Sequence, residues 1–379
     1  MSSPIMTPGN RQRGFSLIEL MVAITISLLI LAAVLRLFLD ISRTNDELAK
    51  TNAQIENGRF AIQLLQRDLM HAGFWDGYIH PFDDPISSSS APPPDTVPDP
   101  CQAFSTWDQA YRDSLIGIPA QVYSGVPAGC ASVVTSKRAN TDVLVTRHAE
   151  TCVAGTPGCS ADVTNALYVQ VSRCIDDLTR YVVGQTGTAS FNLRQRDCAA
   201  NPIANKRKFI SHIYYVQDGD IPTLVRSSLD LNSSTVQFNA PQALIEGVEA
   251  LRIELGIDNF NATEGAAVDY AAGIRGDGAP NTYIHCGAGC AADDLVNAVS
   301  AQIYVLVRST RPTPGYSDAK TYQLGGQTLG PFNDNFKRHV FSTNVRFNNV
   351  SGRREVPAGM PPGTPPSDDD DGDDDDDTP

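Results

Sequence analysis

One carboxylate, Glu19, stands inside an otherwise apolar run from Phe15 to Leu35. A charge at the centre of such a helix costs about 2.5–3.5 kcal/mol on insertion scales. A residue kept there at that cost needs a partner, and for a carboxylate the partner is a cation. A second chemistry comes from eight cysteines, Cys101, Cys130, Cys152, Cys159, Cys174, Cys198, Cys286 and Cys290, all placed after the apolar run. An even set downstream of an export-type segment reads as disulfides formed in an oxidising compartment. Eight cysteines allow 105 pairings. Joining neighbours through the shortest loops gives Cys152–Cys159 and Cys286–Cys290, with Cys101–Cys130 and Cys174–Cys198 following. Zinc is the competing reading, but tetrahedral zinc sites favour tight Cys-x-x-Cys pairs. None occurs here, and His285 beside Cys286 is the one tempting neighbour.

The remaining reactive residues form no constellation. The six histidines sit at 71, 80, 148, 212, 285 and 339 and read as surface or packing residues. No Gly-x-Ser-x-Gly, Walker, dinucleotide-binding or His-Glu-x-x-His pattern is present, so no enzyme is expected. Asp258, Asn259 and Asn261, with Glu264 nearby, are oxygen-rich enough to suggest calcium. Phe260, however, occupies a position where an EF-hand loop needs an oxygen ligand. A polar turn is the better reading, and neither a metal nor a cofactor is expected. Net charge is −14, but nine aspartates between Asp368 and Asp377 carry −9 of it and leave −5 for the rest. No basic face is visible, which argues against a dedicated nucleic-acid binder.

The elements that position these residues follow from periodicity. Phe15–Leu35 has the length of a membrane span, and Arg11 and Arg13 before it place the leader in the cytoplasm. No Pro or Gly interrupts the chain from Phe15 to Asn57, so one helix is expected over 15–72, with 15–39 in the membrane and 40–72 amphipathic. Ile41, Leu48, Ile55, Ile62 and Leu69 recur every seven residues. One apolar position per heptad is too narrow for a coiled coil, so that stripe is expected to pack on a sheet of the same chain. Gly73 is the expected stop. A globular head follows over 73–355, irregular from 76 to 140 and rich in Pro and Ser at Ser87–Pro100. Strands are expected at 142–147, 166–171, 179–183, 209–216, 223–226, 251–257, 301–307 and 340–347. No helical pattern alternates with them, which excludes a doubly wound parallel sheet. The fold class is therefore α+β: a long N-terminal helix on an antiparallel sheet, with a disulfide-containing insertion. The tail, 356–379, is expected to be disordered.

Two stretches resemble known families. RGFSLIELMVAITI, Arg13–Ile26, resembles the prepilin-type processing motif. The resemblance implies cleavage by a prepilin peptidase between Gly14 and Phe15, N-methylation of Phe15, and an assembly contact from Glu19 to the N-terminal amine of a neighbouring subunit. ENGRFAIQLLQRDLMHAGFWDG (Glu56–Gly77), ALIEGVEALRIELGID (Ala243–Asp258), AVSAQIYVLVRS (Ala298–Ser309) and RHVFSTNVRFNN (Arg338–Asn349) are similar to PilW-type minor pilins. That family implies a type IV pilin fold and a low-abundance subunit that helps to initiate pilus assembly at or near the tip. Its partners would be the major pilin and other minor pilins. Such a subunit is stored in the inner membrane through residues 15–39, with its head in the periplasm, before it reaches the cell surface. The alternatives are a J-type pseudopilin of type II secretion and a tip adhesin or DNA-uptake subunit.

Overall fold

The structure, a computed structural model, describes residues 14, 16–84, 92–261, 265–287 and 289–355. Phe15, the leader 1–13, Glu264 and the acidic tail 356–379 lie outside the described residues. Contacts divide the chain into two compact units, Met1–Asn52 and Ala53–Pro379.

The first unit contains most of helix α1, which runs from Leu17 to His71. Its start is a capping box. The Glu19 backbone N–H donates to Ser16 Oγ at 3.3 Å, and the Glu19 carboxylate accepts from the Ser16 N–H at 2.9 Å. Two otherwise orphaned N–H groups are thereby satisfied reciprocally. The apolar side chains that follow, Leu17 through Ile41, are exposed. This is a helix long and apolar enough to cross a membrane. Thr25 and Ser27 turn their hydroxyls back onto backbone carbonyls of the preceding turn, so neither offers an unpaired polar group to an apolar surrounding.

The second unit begins inside α1, not at residue 73, because the last turns of the helix are core. Ala61, Leu65 and Leu69 are fully buried. The expected heptad stripe is only partly the packing face: Leu69 is buried and Ile62 half-buried, whereas Ile41, Leu48 and Ile55 are exposed. The buried line, 54–58–61–65–69, follows i+3/i+4 spacing, as a helix lying on a sheet requires. Polar tethers extend it. Gln54 Nε2 donates to the carbonyls of Val307 at 2.6 Å and Lys337 at 3.1 Å. Asn349 Nδ2 donates to the carbonyls of Met70 and His71 at 3.2 and 3.3 Å, which supplies donors for the orphan acceptors at the helix end. Gly73 follows with φ +74°, a conformation that favours glycine.

Two further features come next: α2 (Gln109–Gly117) and β1 (Ala120–Tyr123). Both lie in the stretch expected to be irregular, and they correct that expectation. Asp108 caps α2 through the Tyr111 N–H at 2.8 Å, and Leu115 and Ile116 are buried. A nine-residue helix has too few turns for its period to stand out beside Gly117 and Pro119. Strands β2 (Val143–Ala149), β3 (Leu167–Val171), β4 (Tyr181–Gln185), β5 (Lys206–Gln217), β6 (Thr223–Asn232), β7 (Thr235–Phe238) and β8 (Gln242–Glu246) complete an eight-stranded sheet with β1. Its long central strand, β5, pairs β2, β3 and β6 in antiparallel register.

A four-stranded antiparallel sheet has the order β10–β9–β11–β14, with β9 at Val248–Ile257, β10 at Thr282–Ile284, β11 at Ala298–Arg308 and β14 at Arg338–Arg346. Between them lie α3 (Ala292–Val296) and the hairpin of β12 (Tyr322–Leu324) and β13 (Gln327–Leu329); α4 (Asn348–Ser351) follows β14. Cross-strand pairs Leu251↔Val305, Ile253↔Ile303 and Leu255↔Ala301 are fully buried beneath the helix residues. Such pairs are the unit of sheet stabilisation. All eight strands expected from the sequence are present.

Gly58 explains how closely α1 approaches β14. A Cβ at this position would fall inside the Phe341 ring. Alanine is the better helix former by about 0.5–1 kcal/mol, yet overpacking costs about 1–3 kcal/mol. Gly58→Ala is therefore expected to lower the thermal midpoint of the full chain in detergent. An unchanged or raised midpoint would mean that Phe341 rotates away at no cost.

Candidate functional site

The sequence-derived site residues fall in separate places. Gly14 is exposed, with open space around it, and Glu19 lies in the first turn of α1, engaged with Ser16 in the capping box. The cysteines form four disulfides, Cys101–Cys130, Cys152–Cys159, Cys174–Cys198 and Cys286–Cys290, with Cα–Cα separations of 5.2, 5.9, 4.9 and 4.7 Å. Three of the four staple the 101–198 region, which carries α2 and the strands β1 to β4.

Asp258, the residue singled out for calcium, is fully buried and faces N–H donors. Its carboxylate accepts from the Gly278 and Asp277 N–H groups at 2.9 and 3.2 Å and approaches Arg354 Nη1 at 3.4 Å. Asn261 Oδ1 accepts from the Ala266 N–H at 3.2 Å. The two side chains thus serve turns and an internal arginine. Gly276, in the Arg275-Gly276-Asp277 tripeptide, packs against the Asp258 carboxylate so closely that no Cβ fits.

Arg354 is the centre of this buried network. Its Nε donates to Asp83 at 2.9 Å, its Nη1 to Asn297 Oδ1 at 3.2 Å, and its Nη2 to the Tyr270 hydroxyl and the Val296 carbonyl, both at 2.9 Å. Arg353 Nε adds a short bond to the other Asp83 oxygen. Burial alone would raise the Asp83 carboxyl, but the two guanidinium groups outweigh it and hold the group below the usual carboxylate range. A second network joins Glu249, Asp318 and Asp334 around Arg338, which is almost wholly buried.

Among the described residues, two groups bring metal-ligand atoms together: Cys174, Asp176 and Cys198, and Asp68, His148 and His212. The first has spent its sulfurs on a disulfide. The second was missed by the sequence reading, which left every histidine isolated. His148 and His212 lie on strands that the sequence located, β2 and β5. The register pairs Thr146 with His212 and His148 with Ile210, so the period of two puts all four on one face. Asp68 reaches that face from α1, one helical turn beyond Leu65. The alternation could have suggested which face each histidine uses; the pairing of β2 with β5 was not readable.

Comparison with known proteins narrows the class. Residues 213–349 match the family described as type IV pilus-assembly protein W, PilW. Residues 9–35 match the prokaryotic N-terminal methylation motif. No curated protein matches. Among solved structures, a type IV-like pilin from Thermus thermophilus is similar at 12% identity and TM-score 0.29, covering 61% of this chain and 83% of that one. The PilW match runs from the last residues of β5 through β14. The methylation-motif match spans Gly14, Glu19 and the first turns of α1. The chain is thus similar to type IV pilus-assembly protein W over residues 213–349 and carries a match to the prokaryotic N-terminal methylation motif over residues 9–35, at the start of its one long apolar helix.

Proposed function

We propose that the protein is a minor pilin of a type IV pilus that helps to initiate assembly and sits at or near the filament tip. The observation that carries this reading is the coupling, in one chain, of a processing motif to an exposed apolar helix and of both to a PilW match over residues 213–349. An apolar helix of this length is stored in a membrane and exchanges lipid for neighbouring helices when the filament forms. Before assembly the subunit spans the inner membrane through residues 15–39, with its disulfide-bonded head in the periplasm. Prepilin peptidase cuts after Gly14, Phe15 becomes the methylated N-terminus, and Glu19 meets the amine of an adjacent subunit. The partners are the major pilin and other minor pilins, and the role is structural rather than enzymatic.

The test is a deletion strain scored for surface pili and for secretion of a known exoprotein. Few or no pili with normal secretion is expected. Normal pili with lost secretion would assign the subunit to a type II pseudopilus instead.

A further inference from the structure

We propose that Asp68, His148 and His212 form a binding site for one divalent transition-metal ion, zinc by preference, which staples the end of α1 to strands β2 and β5. The geometry carries this inference. Asp68 Oδ1 lies 3.2 Å from His148 Nε2 and 3.2 Å from His212 Nδ1. All three donor atoms fall within 4.8 Å of one another. Zinc bonds of about 2.0–2.1 Å in a tetrahedron separate ligand atoms by about 3.3 Å, so the two measured edges are those of such a site.

The tautomer of His148 adds an independent argument. His148 Nδ1 lies 2.8 Å from the Ala149 carbonyl oxygen. A carbonyl only accepts, so Nδ1 carries the hydrogen. In the neutral ring Nε2 is then a bare lone pair, and it points at a carboxylate oxygen. Two acceptors facing each other across 3.2 Å need a positive centre between them, which a metal ion or a second ring proton supplies. Ligating histidines commonly have their far N–H fixed by a carbonyl in this way. Thr146 Oγ1 donates a short bond to Asp68 Oδ2 and orients the carboxylate. The surroundings favour a soft-to-borderline ion over magnesium or calcium, because two of three donors are imidazoles. The His148 and Asp68 side chains are only 8% and 11% exposed, so a bound ion would be held against loss to solvent. A metal here links three elements far apart in sequence, which an unfolded chain cannot do, so its binding energy adds to the stability of the fold.

The test uses untagged full-length protein in detergent, stripped with chelator and titrated with zinc and, separately, with cobalt. Expected are one tightly held zinc per chain, a rise in melting temperature on zinc addition, and the intense visible bands of four- or five-coordinate cobalt. His148→Gln and His212→Gln should each weaken zinc at least a hundredfold, the upper end of what losing an outer-shell partner costs, and should abolish the cobalt bands. His285→Gln should do neither, since His285 faces Asp142 elsewhere in the head. Zinc uptake unchanged in the His148 and His212 variants, or a melting temperature that zinc does not move, would overturn the proposal. Should both variants fail to fold, the wild-type cobalt spectrum decides. The weak bands of all-oxygen six-coordination would assign uptake to the Asp368–Asp377 tail and overturn the site.

Discussion

Arg354→Ala should destabilise the head by about 3–5 kcal/mol, the cost of leaving a buried charge without its partner. Arg354 and Asp83 are both fully buried at their side chains, and so is Asp258. Removing the guanidinium leaves Asp83 with Arg353 alone, leaves the Asp258 carboxylate with backbone N–H donors but no cation, and takes a donor from the Tyr270 hydroxyl, Asn297 Oδ1 and the Val296 carbonyl. Arg353→Ala should cost far less. Its side chain is partly exposed, and Asp83 keeps Arg354. Chemical unfolding of the detergent-solubilised chain, followed by near-ultraviolet circular dichroism, measures both. Equal, small losses would mean that the network is dispensable.

The same network sets an acid limit. The Asp83 carboxyl is depressed in the folded state, so its contribution is complete above the unfolded value of about 3.9 and is lost as pH falls below it through the folded value. His80 adds an earlier loss. Burial pushes its imidazole down to about 4 from an ordinary 6.5, so the unfolded chain takes up a proton that the folded chain refuses between those values, and stability falls across that range. Unfolding midpoints should therefore decline from about pH 6.5 downward, and His80→Gln should remove the upper part of that decline. A midpoint that stays flat from pH 7 to 5 would count against it.

These two networks mark where sequence stops being informative. The eight strands were readable because their apolar residues alternate and turn residues bound them. α1 was readable because no helix breaker interrupts it. Glycine spacing told less: Gly58 falls inside the expected helix, and nothing in the sequence shows that it is where Phe341 packs against α1. Arg354, Asp83 and Asp258 come from the C-terminal edge, a turn after α1 and the end of β9. Nothing in their local sequence announces that they meet. Asp68, His148 and His212 illustrate the same limit, since each sits in an element that was expected and only the register joins them. Long-range polar contacts depend on how the chain returns on itself, and a periodic pattern does not encode that. The short elements α2 and β1 were lost for another reason: they hold too few residues for a period to rise above their Pro, Gly and Ser neighbours.

Glu19→Gln gives the sharpest result for the filament, because two different jobs converge on this residue. In the single chain, Glu19 is the N3 partner of a capping box with Ser16, a local role that glutamine also fills. In the proposed filament, its charge pairs with the N-terminal amine of a neighbour, and glutamine cannot do that. Both Glu19→Ala and Glu19→Gln should therefore be processed normally and accumulate in the membrane, yet incorporate poorly into pili. Ser16→Ala, which weakens the cap but keeps the charge, should incorporate nearly as wild type. Gly14→Phe supplies the contrast, since a bulky residue at the cleavage position should leave the unprocessed precursor, seen as a higher mass. The measurement is the ratio of subunit in sheared pili to subunit in membranes. If Glu19→Gln enters pili at the wild-type ratio while Glu19→Ala does not, the carboxylate acts on its own helix, and the buried ion pair between subunits is not what drives incorporation. If both variants stay in the membrane, the cost of burying an unpaired group is what selects a carboxylate there, and the cap is a local convenience of the same side chain.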